Sequence, residues 1–373
     1  MKIFFILRSV AIYGGVERVV VDKMNYLAEK GHKVTLITYE QGIHPCVYQL
    51  NSRIFHVDVA CPYYTLYRYS LLFRIVELWK MVYRFKKRLY SLAKAQNPDV
   101  IVSVSNACEY LQQVMNTPCG KKIWEAHGAY PAIMSSATFT KKIKNYLSLR
   151  SIRRSNLIIT LTDSDRSYWM KLNKQTLVVP NPLAFYPENI NGFERKKGRI
   201  LCVARLEQQK RIDRLIDAFA LIAERNSTWY IDVYGDGQER ESLMKQIDRL
   251  NLTSRIHLNP PTNDINQEYL SSQMTVLSSD YEGFGLVIIE SMACGTPVIS
   301  TNCPFGPSDI IKDGEDGLLC EMTVKDLACK MEWMITHEDE RMAMALKAHR
   351  AAERYRKDNV MKQWENAYMT VVR

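Results

Sequence analysis

No Cys-x-x-Cys pair occurs in the 373 residues, and no His/Cys cluster stands at zinc-ligand spacing. The nine cysteines are scattered and odd in number. Both facts argue against a disulfide framework or a structural zinc and fit reduced thiols in a cytoplasmic protein. A long apolar leader is also lacking. Met1-Lys-Ile-Phe-Phe-Ile-Leu7 is broken at once by Arg8, too short for a signal peptide's apolar region or a membrane span, and reads as a buried first strand. The turn after that strand lacks the Gly-x-Gly-x-x-Gly dinucleotide fingerprint and has Gly14-Gly15-Val16-Glu17-Arg18 instead. Acid is scarce in one half only. Residues 1–180 carry 26 Lys/Arg against 11 Asp/Glu, whereas residues 181–373 carry 24 against 29. The net charge of +10 therefore belongs to the first half, which suggests an anionic surface or partner for that half alone.

What is present is ordinary for a globular enzyme, with 47% apolar and 24% charged residues. The length points to two domains. Short apolar runs alternate with helical patterns: Ile3–Leu7, Lys33–Thr38, Val100–Val104, Lys122–Glu125 and Leu157–Leu161, then Ile200–Ala204, Trp229–Val233, Ile256–Leu258, Met274–Leu277 and Pro297–Ser300. Continuous apolar strands between helices predict parallel sheets covered on both faces. The fold class is α/β, with two doubly wound Rossmann-like domains. Pro180-Asn-Pro182, Pro187 and the polar stretch Asn189–Arg199 interrupt the pattern. They place the first domain at 1–183 and the second at 184–350. A C-terminal segment, 351–373, belongs to one helix over Ala348–Val372 that can cross back to the first domain, with Tyr355, Trp364 and Tyr368 as apolar contacts.

Over residues 68–94, Leu71, Leu72, Ile75, Leu78, Trp79, Val82, Phe85 and Leu89 recur at helical spacing, with Arg74, Arg84, Lys86, Lys87 and Arg88 between them and Glu77 the only acid. Such a helix either lies on an anionic bilayer or buries its stripe in the core and solvates its charges. A second basic cluster follows at Lys141, Lys142, Lys144, Arg150, Arg153 and Arg154.

The chemistry concentrates in the second half. Glu282-Gly-Phe-Gly-Leu-Val-Ile-Ile-Glu290 joins a glycine-hinged turn to an apolar helix with a carboxylate at each end. Glu290 stands among Leu286, Val287, Ile288, Ile289, Met292 and Ala293, where an unpaired charge is costly, so a polar partner is expected. Arg205 at a strand's carboxyl end and Lys210 five residues on suit a diphosphate, one as a bidentate fork and the other as a point charge; two plain surface cations would look the same. Tyr234-Gly235-Asp236-Gly237 closes the next strand and either approaches a nucleotide or serves the turn. Gly15 opens a helix whose N-terminus favours anions. His127, in Trp124-Glu-Ala-His-Gly128, follows a strand end and is either catalytic or structural. Asp163-Ser-Asp165 reads as a helix N-cap at Asp163 or Ser164 rather than a metal motif.

Taken together, these residues resemble the retaining glycosyltransferases of family 4, with the GT-B fold, along essentially the whole chain. The resemblance rests on the Glu282-x7-Glu290 segment running on through Ala-Cys-Gly-Thr-Pro-Val-Ile-Ser300, the Arg205/Lys210 pair, Tyr-Gly-Asp-Gly, the early Gly-Gly loop, and Asp313-Gly-Glu-Asp-Gly317-Leu-Leu. It implies that Glu290 binds the donor's ribose and Glu282 the transferred sugar, while Arg205, Lys210 and the amides of Phe284, Gly285 and Leu286 neutralise the departing diphosphate. Gly15 would approach the phosphates, Gly235 the nucleotide, and His127 the donor sugar. Glu282, His127, Arg205 and Lys210 are thus the catalytic candidates, with no metal and no cofactor. One departure is plain: where the family often has Gly-Gly-x-x-Glu, this chain has Phe305-Gly-Pro-Ser-Asp309.

The implied reaction is metal-independent retaining transfer from a nucleotide-diphosphate sugar, UDP-linked hexose or N-acetylhexosamine, to a lipid-linked or polysaccharide acceptor. Such enzymes serve bacterial polysaccharide or lipopolysaccharide synthesis, peripheral on the inner face of the plasma membrane. GDP-mannose is the alternative donor. A membrane- or polyanion-binding module with relic motifs is the alternative of another class, and a nucleotide-sugar epimerase a third reading. No nucleic acid partner is expected.

Overall fold

The computed structural model describes every residue except 13, 105–108, 129–138, 191–193 and 373, and not the side chains of residues 71, 72 and 139–141. The side chains of Leu71, Leu72 and Lys141, and part of the Asn189–Arg199 stretch, therefore lie outside the described residues.

Two parallel sheets form from the short apolar runs. The first contains β1 (Lys2–Leu7), β2 (Lys33–Thr38), β3 (Phe55–Asp58), β4 (Val100–Val104), β5 (Lys121–Ala126), β6 (Leu157–Thr160) and β7 (Thr176–Val178), in the order 3-2-1-4-5-6-7. The second contains β8 (Arg199–Val203), β9 (Tyr230–Tyr234), β10 (Ile256–Asn259), β11 (Met274–Leu277), β12 (Val298–Thr301) and β13 (Gly317–Cys320), in the order 10-9-8-11-12-13. Every pairing within them is parallel, as the buried runs require. Three strands were not foreseen. β3 carries polar His56 and Asp58 at a sheet edge, β7 is three residues long, and β13 is four residues long behind the polar segment 313–316.

The helices of the first half are α1 (Gly15–Glu29), α2 (Leu71–Gln96), α3 (Leu111–Met115), α4 (Phe139–Ile152) and α5 (Asp163–Trp169). Those of the second are α6 (Ile212–Ala220), α7 (Arg240–Arg249), α8 (Ile265–Leu270), α9 (Leu286–Ala293), α10 (Pro307–Ile310), α11 (Val324–Thr336) and α12 (Glu338–Ala352), and α13 (Lys357–Val372) ends the chain. The predicted single helix over Ala348–Val372 is in fact broken. A 3-10 turn at Glu353–Tyr355 and extended Arg356 (φ −54°, ψ 139°) separate α12 from α13. The chain divides into two compact units, Met1–Pro180 with Val360–Arg373, and Asn181–Asn359.

Each unit has its own core. In the first, Phe4, Ile6 and Ile101 of the sheet pack on Phe85 and Leu89 of α2, and Phe85 stacks on Tyr110 at 4.3 Å. In the second, Ile200, Ile231 and Val276 meet Leu215 and Phe219 of α6 and Leu327 and Met331 of α11. Burying each such side chain contributes about 1.5–3 kcal/mol. At α5 the cap differs from expectation. Thr162, not Asp163 or Ser164, caps the helix by accepting from the Asp165 amide, and Asp165 turns inward to accept from the Trp169 indole at 2.9 Å. A buried indole N–H needs such an acceptor, which gives Asp165 a structural role.

Candidate active site

In both sheets the strand order reverses beside the first strand, between β1 and β4 and between β8 and β11. Ligands of doubly wound sheets bind outside the carboxyl ends of the strands at such a switch point. In the second unit the two loops leaving that point are 205–211, after β8, and 278–285, after β11. They are joined to one another in several places. The Ser278 hydroxyl donates to the Lys210 carbonyl at 2.9 Å, the Asp280 amide to the Gln209 carbonyl at 3.0 Å, and the Gln209 side chain to the Tyr281 carbonyl at 2.7 Å. Arg214 of α6 fastens the base of the second loop through the Ser278 carbonyl and the Asp280 carboxylate.

Within this frame Lys210 meets Glu282. The ammonium donates to Glu282 Oε1 at 2.7 Å, and the Ser279 hydroxyl donates to the same oxygen at 2.6 Å. Glu282 is buried and the Lys210 side chain nearly so. Both contacts fall on Oε1, so Oε2 accepts nothing from the described residues, and Lys210 keeps two N–H donors. A half-spent ion pair at a switch point is a place for a ligand with hydroxyls and negative charge. Arg205 is exposed and, among the described residues, its guanidinium bonds only its neighbour Glu207 at 2.6 Å, which leaves most of its fork open.

Downstream, Gly285 adopts a left-handed conformation (φ 96°, ψ 56°) and α9 starts at Leu286. The amides of Phe284, Gly285 and Leu286 donate to no described residue, as expected for a helix start, where orphan N–H groups attract anions. Glu290 lies one turn into α9. Expected to be buried, it is only half covered, and the Tyr269 hydroxyl donates to its Oε2 at 3.2 Å. The apolar neighbours on either side face the core, while residue 290 falls on the flank of the helix. Cys303, close enough to feel the charges of Glu282 and Lys210, has its thiol pushed up to about 12 by burial, so it offers no thiolate nucleophile.

The Tyr-Gly-Asp-Gly turn has a structural account. A Cβ on Gly235 would lie 1.9 Å from the Ala204 carbonyl oxygen, and its amide already donates to the Asn259 carbonyl at 3.1 Å. Gly235 thus lets the β9 loop lie against the backbone just before Arg205. At the departure from the family pattern, Phe305 is held at φ 64° with its ring buried, a conformation a bulky side chain rarely adopts. Asp313 and Asp316 fold the turn into β13 by accepting from the Leu319 and Lys312 amides.

In the first unit Gly15 is exposed at the start of α1, after Gly14, whose N–H and C=O both bond the Tyr48 hydroxyl at 3.0 Å. His127 follows β5 but is enclosed. Its Nε2 bonds Glu125 at 3.0 Å and its side chain is 1% exposed. Glu125 in turn holds the Lys23 ammonium at 2.5 Å and accepts from the Tyr368 hydroxyl of α13. Lys23 also sits 3.4 Å over the Trp364 ring. Burial alone would raise the Glu125 pKa, but Lys23 and the bond to His127 hold it well below the usual carboxylate range. Burial keeps the Tyr368 hydroxyl protonated and pushes the His127 pKa down. Lys23 and Glu125 were missed from sequence, where the signals were a lysine in a valine-rich helix and a glutamate inside an apolar strand; Tyr368, expected as an apolar contact, also spends its hydroxyl on Glu125.

A depressed histidine pKa means that the unfolded chain gains a proton below pH ~6.5 that the folded chain refuses. Stability should therefore fall as pH drops from about 6.5, by up to about 1.4 kcal/mol per pH unit from this group. Urea unfolding at pH 7.5 and 5.5 should show a smaller loss for His127→Asn than for the wild type. Equal losses would mean that the imidazole binds its proton as readily in the folded chain as in the unfolded one.

Two parallel doubly wound units, the second with cations and a half-spent carboxylate at its switch point, have the architecture of the GT-B glycosyltransferases. The chain belongs to glycosyltransferase family 4: residues 13–183 match the family model described as Glycosyltransferase Family 4, and residues 188–351 that described as Glycosyl transferases group 1. An uncharacterized glycosyltransferase of Haemophilus influenzae is 26% identical over 98% of this chain and 99% of its own. The GalNAc-alpha-(1->4)-GalNAc-alpha-(1->3)-diNAcBac-PP-undecaprenol alpha-1,4-N-acetyl-D-galactosaminyltransferase of Campylobacter jejuni is 26% identical over 98% and 97%. HepE of Anabaena, solved in complex with UDP, shares the fold with a TM-score of 0.75 at 18% identity, covering 99% of this chain and 100% of its own.

Proposed function

We propose that this glycosyltransferase moves a hexose or N-acetylhexosamine from a UDP-sugar to a lipid-linked or polysaccharide acceptor, retaining the anomeric configuration without a metal ion. The observation that carries this reading is the Lys210–Glu282 pair, with Glu282 Oε2 and two Lys210 donors unspent at the sheet's switch point. In the reaction the bond from the sugar's anomeric carbon to the diphosphate oxygen breaks, and negative charge collects on the departing phosphate. Lys210, the Arg205 fork and the free amides at the start of α9 meet that charge where it develops, the largest single term in such catalysis. Glu282 holds a hydroxyl of the transferred sugar, and Glu290, steadied by Tyr269, takes the ribose. The leaving diphosphate accepts the acceptor hydroxyl's proton on the same face, so the new bond forms with retention. Gly235 lends shape to the nucleotide's surroundings, and in the first unit Gly15, exposed at the start of α1, is suited to an anionic group. His127 would act through its Glu125-fixed orientation.

The UDP bound to HepE and the polyprenyl-linked acceptor in the Campylobacter relative's name support the donor and acceptor classes. The reaction is proposed to run at the cytoplasmic face of the membrane, where lipid-linked acceptors and nucleotide sugars meet. Calorimetric titration with UDP and with GDP tests the donor directly. UDP binding at least ten-fold tighter than GDP is expected. The reverse order would move the donor to a GDP-sugar such as GDP-mannose, and no affinity for either would favour a binding module with relic motifs.

A further inference from the structure

α2 is two helices in one. From Met81 on it is built in the usual way, with Met81, Phe85, Leu89 and Ala93 buried four residues apart on the core face. Its first half carries apolar side chains on the opposite, outward face as well. Phe73, Val76, Trp79 and Tyr83, at helical spacing, are exposed by 68%, 51%, 73% and 67%. A helix that is apolar all round is normally covered on all sides, and scattered exposed residues do not align in this way. Lys80 and Lys87 stand on the same outward face at i+4 from Val76 and Tyr83.

We propose that this face of α2 docks on an anionic lipid bilayer. Charge selects a lipid surface over a protein partner. From residue 70 to 90, Arg74, Lys80, Arg84, Lys86, Lys87 and Arg88 face a single acid, Glu77, which Lys80 already engages at 2.7 Å. Aromatic rings at headgroup depth with cations around them are how an interfacial helix holds a membrane, each cation adding an attraction that salt screens. The preceding turn, Tyr63–Arg68, extends the surface: Tyr67 is exposed and packs against the Arg74 guanidinium, which also donates to the Leu66 carbonyl. Among the described residues no helix is long and apolar enough to cross a membrane, so contact through α2 would be peripheral. The purpose given to this surface, presenting the site to a lipid-linked acceptor, rests on the proposed function; the binding itself does not.

The test is co-sedimentation of the full chain with phosphatidylglycerol/phosphatidylethanolamine vesicles and with phosphatidylcholine vesicles, at low and high salt. Binding to the anionic vesicles alone is expected, weakened by salt. Lys80→Glu/Lys87→Glu should weaken it by more than about ten-fold, since each cation near the surface is worth about five-fold, and Trp79→Ser/Tyr83→Ser should abolish it. Both pairs lie outside the core, so melting temperature and UDP binding should stay as in the wild type; UDP affinity thereby reports separately on the donor site. Wild-type binding matched by both variants, or no binding to either vesicle, would overturn the proposal. So would a wild-type dimer in light scattering that Trp79→Ser/Tyr83→Ser converts to monomer, which would make the face a contact between copies.

Discussion

Lys210→Ala is expected to lower the transfer rate by about 10²–10³, equivalent to roughly 3–4 kcal/mol of lost transition-state stabilisation, while the chain stays folded. The expectation follows from geometry. Lys210 is the cation fixed by the joined loops at the carboxyl ends of β8 and β11, and its ammonium is held 2.7 Å from Glu282. Its charge therefore needs no reorganisation when the diphosphate departs. Glu282 keeps Ser279 as a partner in the variant, so the loop retains a hydrogen bond where the lysine was. The loss should fall mainly on kcat, because the charge Lys210 meets grows as the bond breaks. Glu282→Gln keeps the size of the side chain and should cost less than Lys210→Ala. Steady-state kinetics with melting temperatures in parallel decide the matter. Full activity in Lys210→Ala and Glu282→Gln would remove both residues from the chemistry.

Lys23→Met is expected to produce the largest loss of stability, about 3–5 kcal/mol. Glu125 would be left charged and buried beside His127 and Tyr368 with its main counter-ion gone. Glu125→Gln should cost less, because the amide oxygen can still accept from the Lys23 ammonium, which also keeps its place over the Trp364 ring. The double variant Lys23→Met/Glu125→Gln should recover much of the loss, since an uncharged pair carries no uncompensated ion. Urea midpoints of the four proteins form the cycle. Additive losses would show that the two charges do not depend on one another.

These two predictions differ in how far their residues could be read in the chain. Arg205 and Lys210 stand five residues apart behind an apolar strand, and Glu282 and Glu290 stand eight apart across one turn and the first turn of a helix. Local spacing of that kind is written in the sequence because strand and helix periods are local. Lys23, Glu125 and Tyr368 have no such spacing. Their bonds span 102 and 243 residues, and nothing in Val19-Val-Val-Asp-Lys23 says which acid awaits the lysine. The three unforeseen strands are alike in kind: short, or at an edge, or polar enough to pass for loop.

Periodicity and turn chemistry alone determined two parallel doubly wound sheets, the strand ends where ligands gather, and the residue types suited to a diphosphate. Only the tertiary structure decided that Lys210 closes on Glu282, that Glu290 lies on a helix flank with Tyr269 instead of inside the core, and that His127 is enclosed by Glu125. It also decided that one basic helix buries Met81, Phe85, Leu89 and Ala93 and leaves Phe73, Val76, Trp79 and Tyr83 bare. The physical reason is common to all four. An amino acid's neighbours in sequence set the backbone it adopts, but its charge and its apolar surface are satisfied by whatever the sheet order brings alongside, from any distance along the chain.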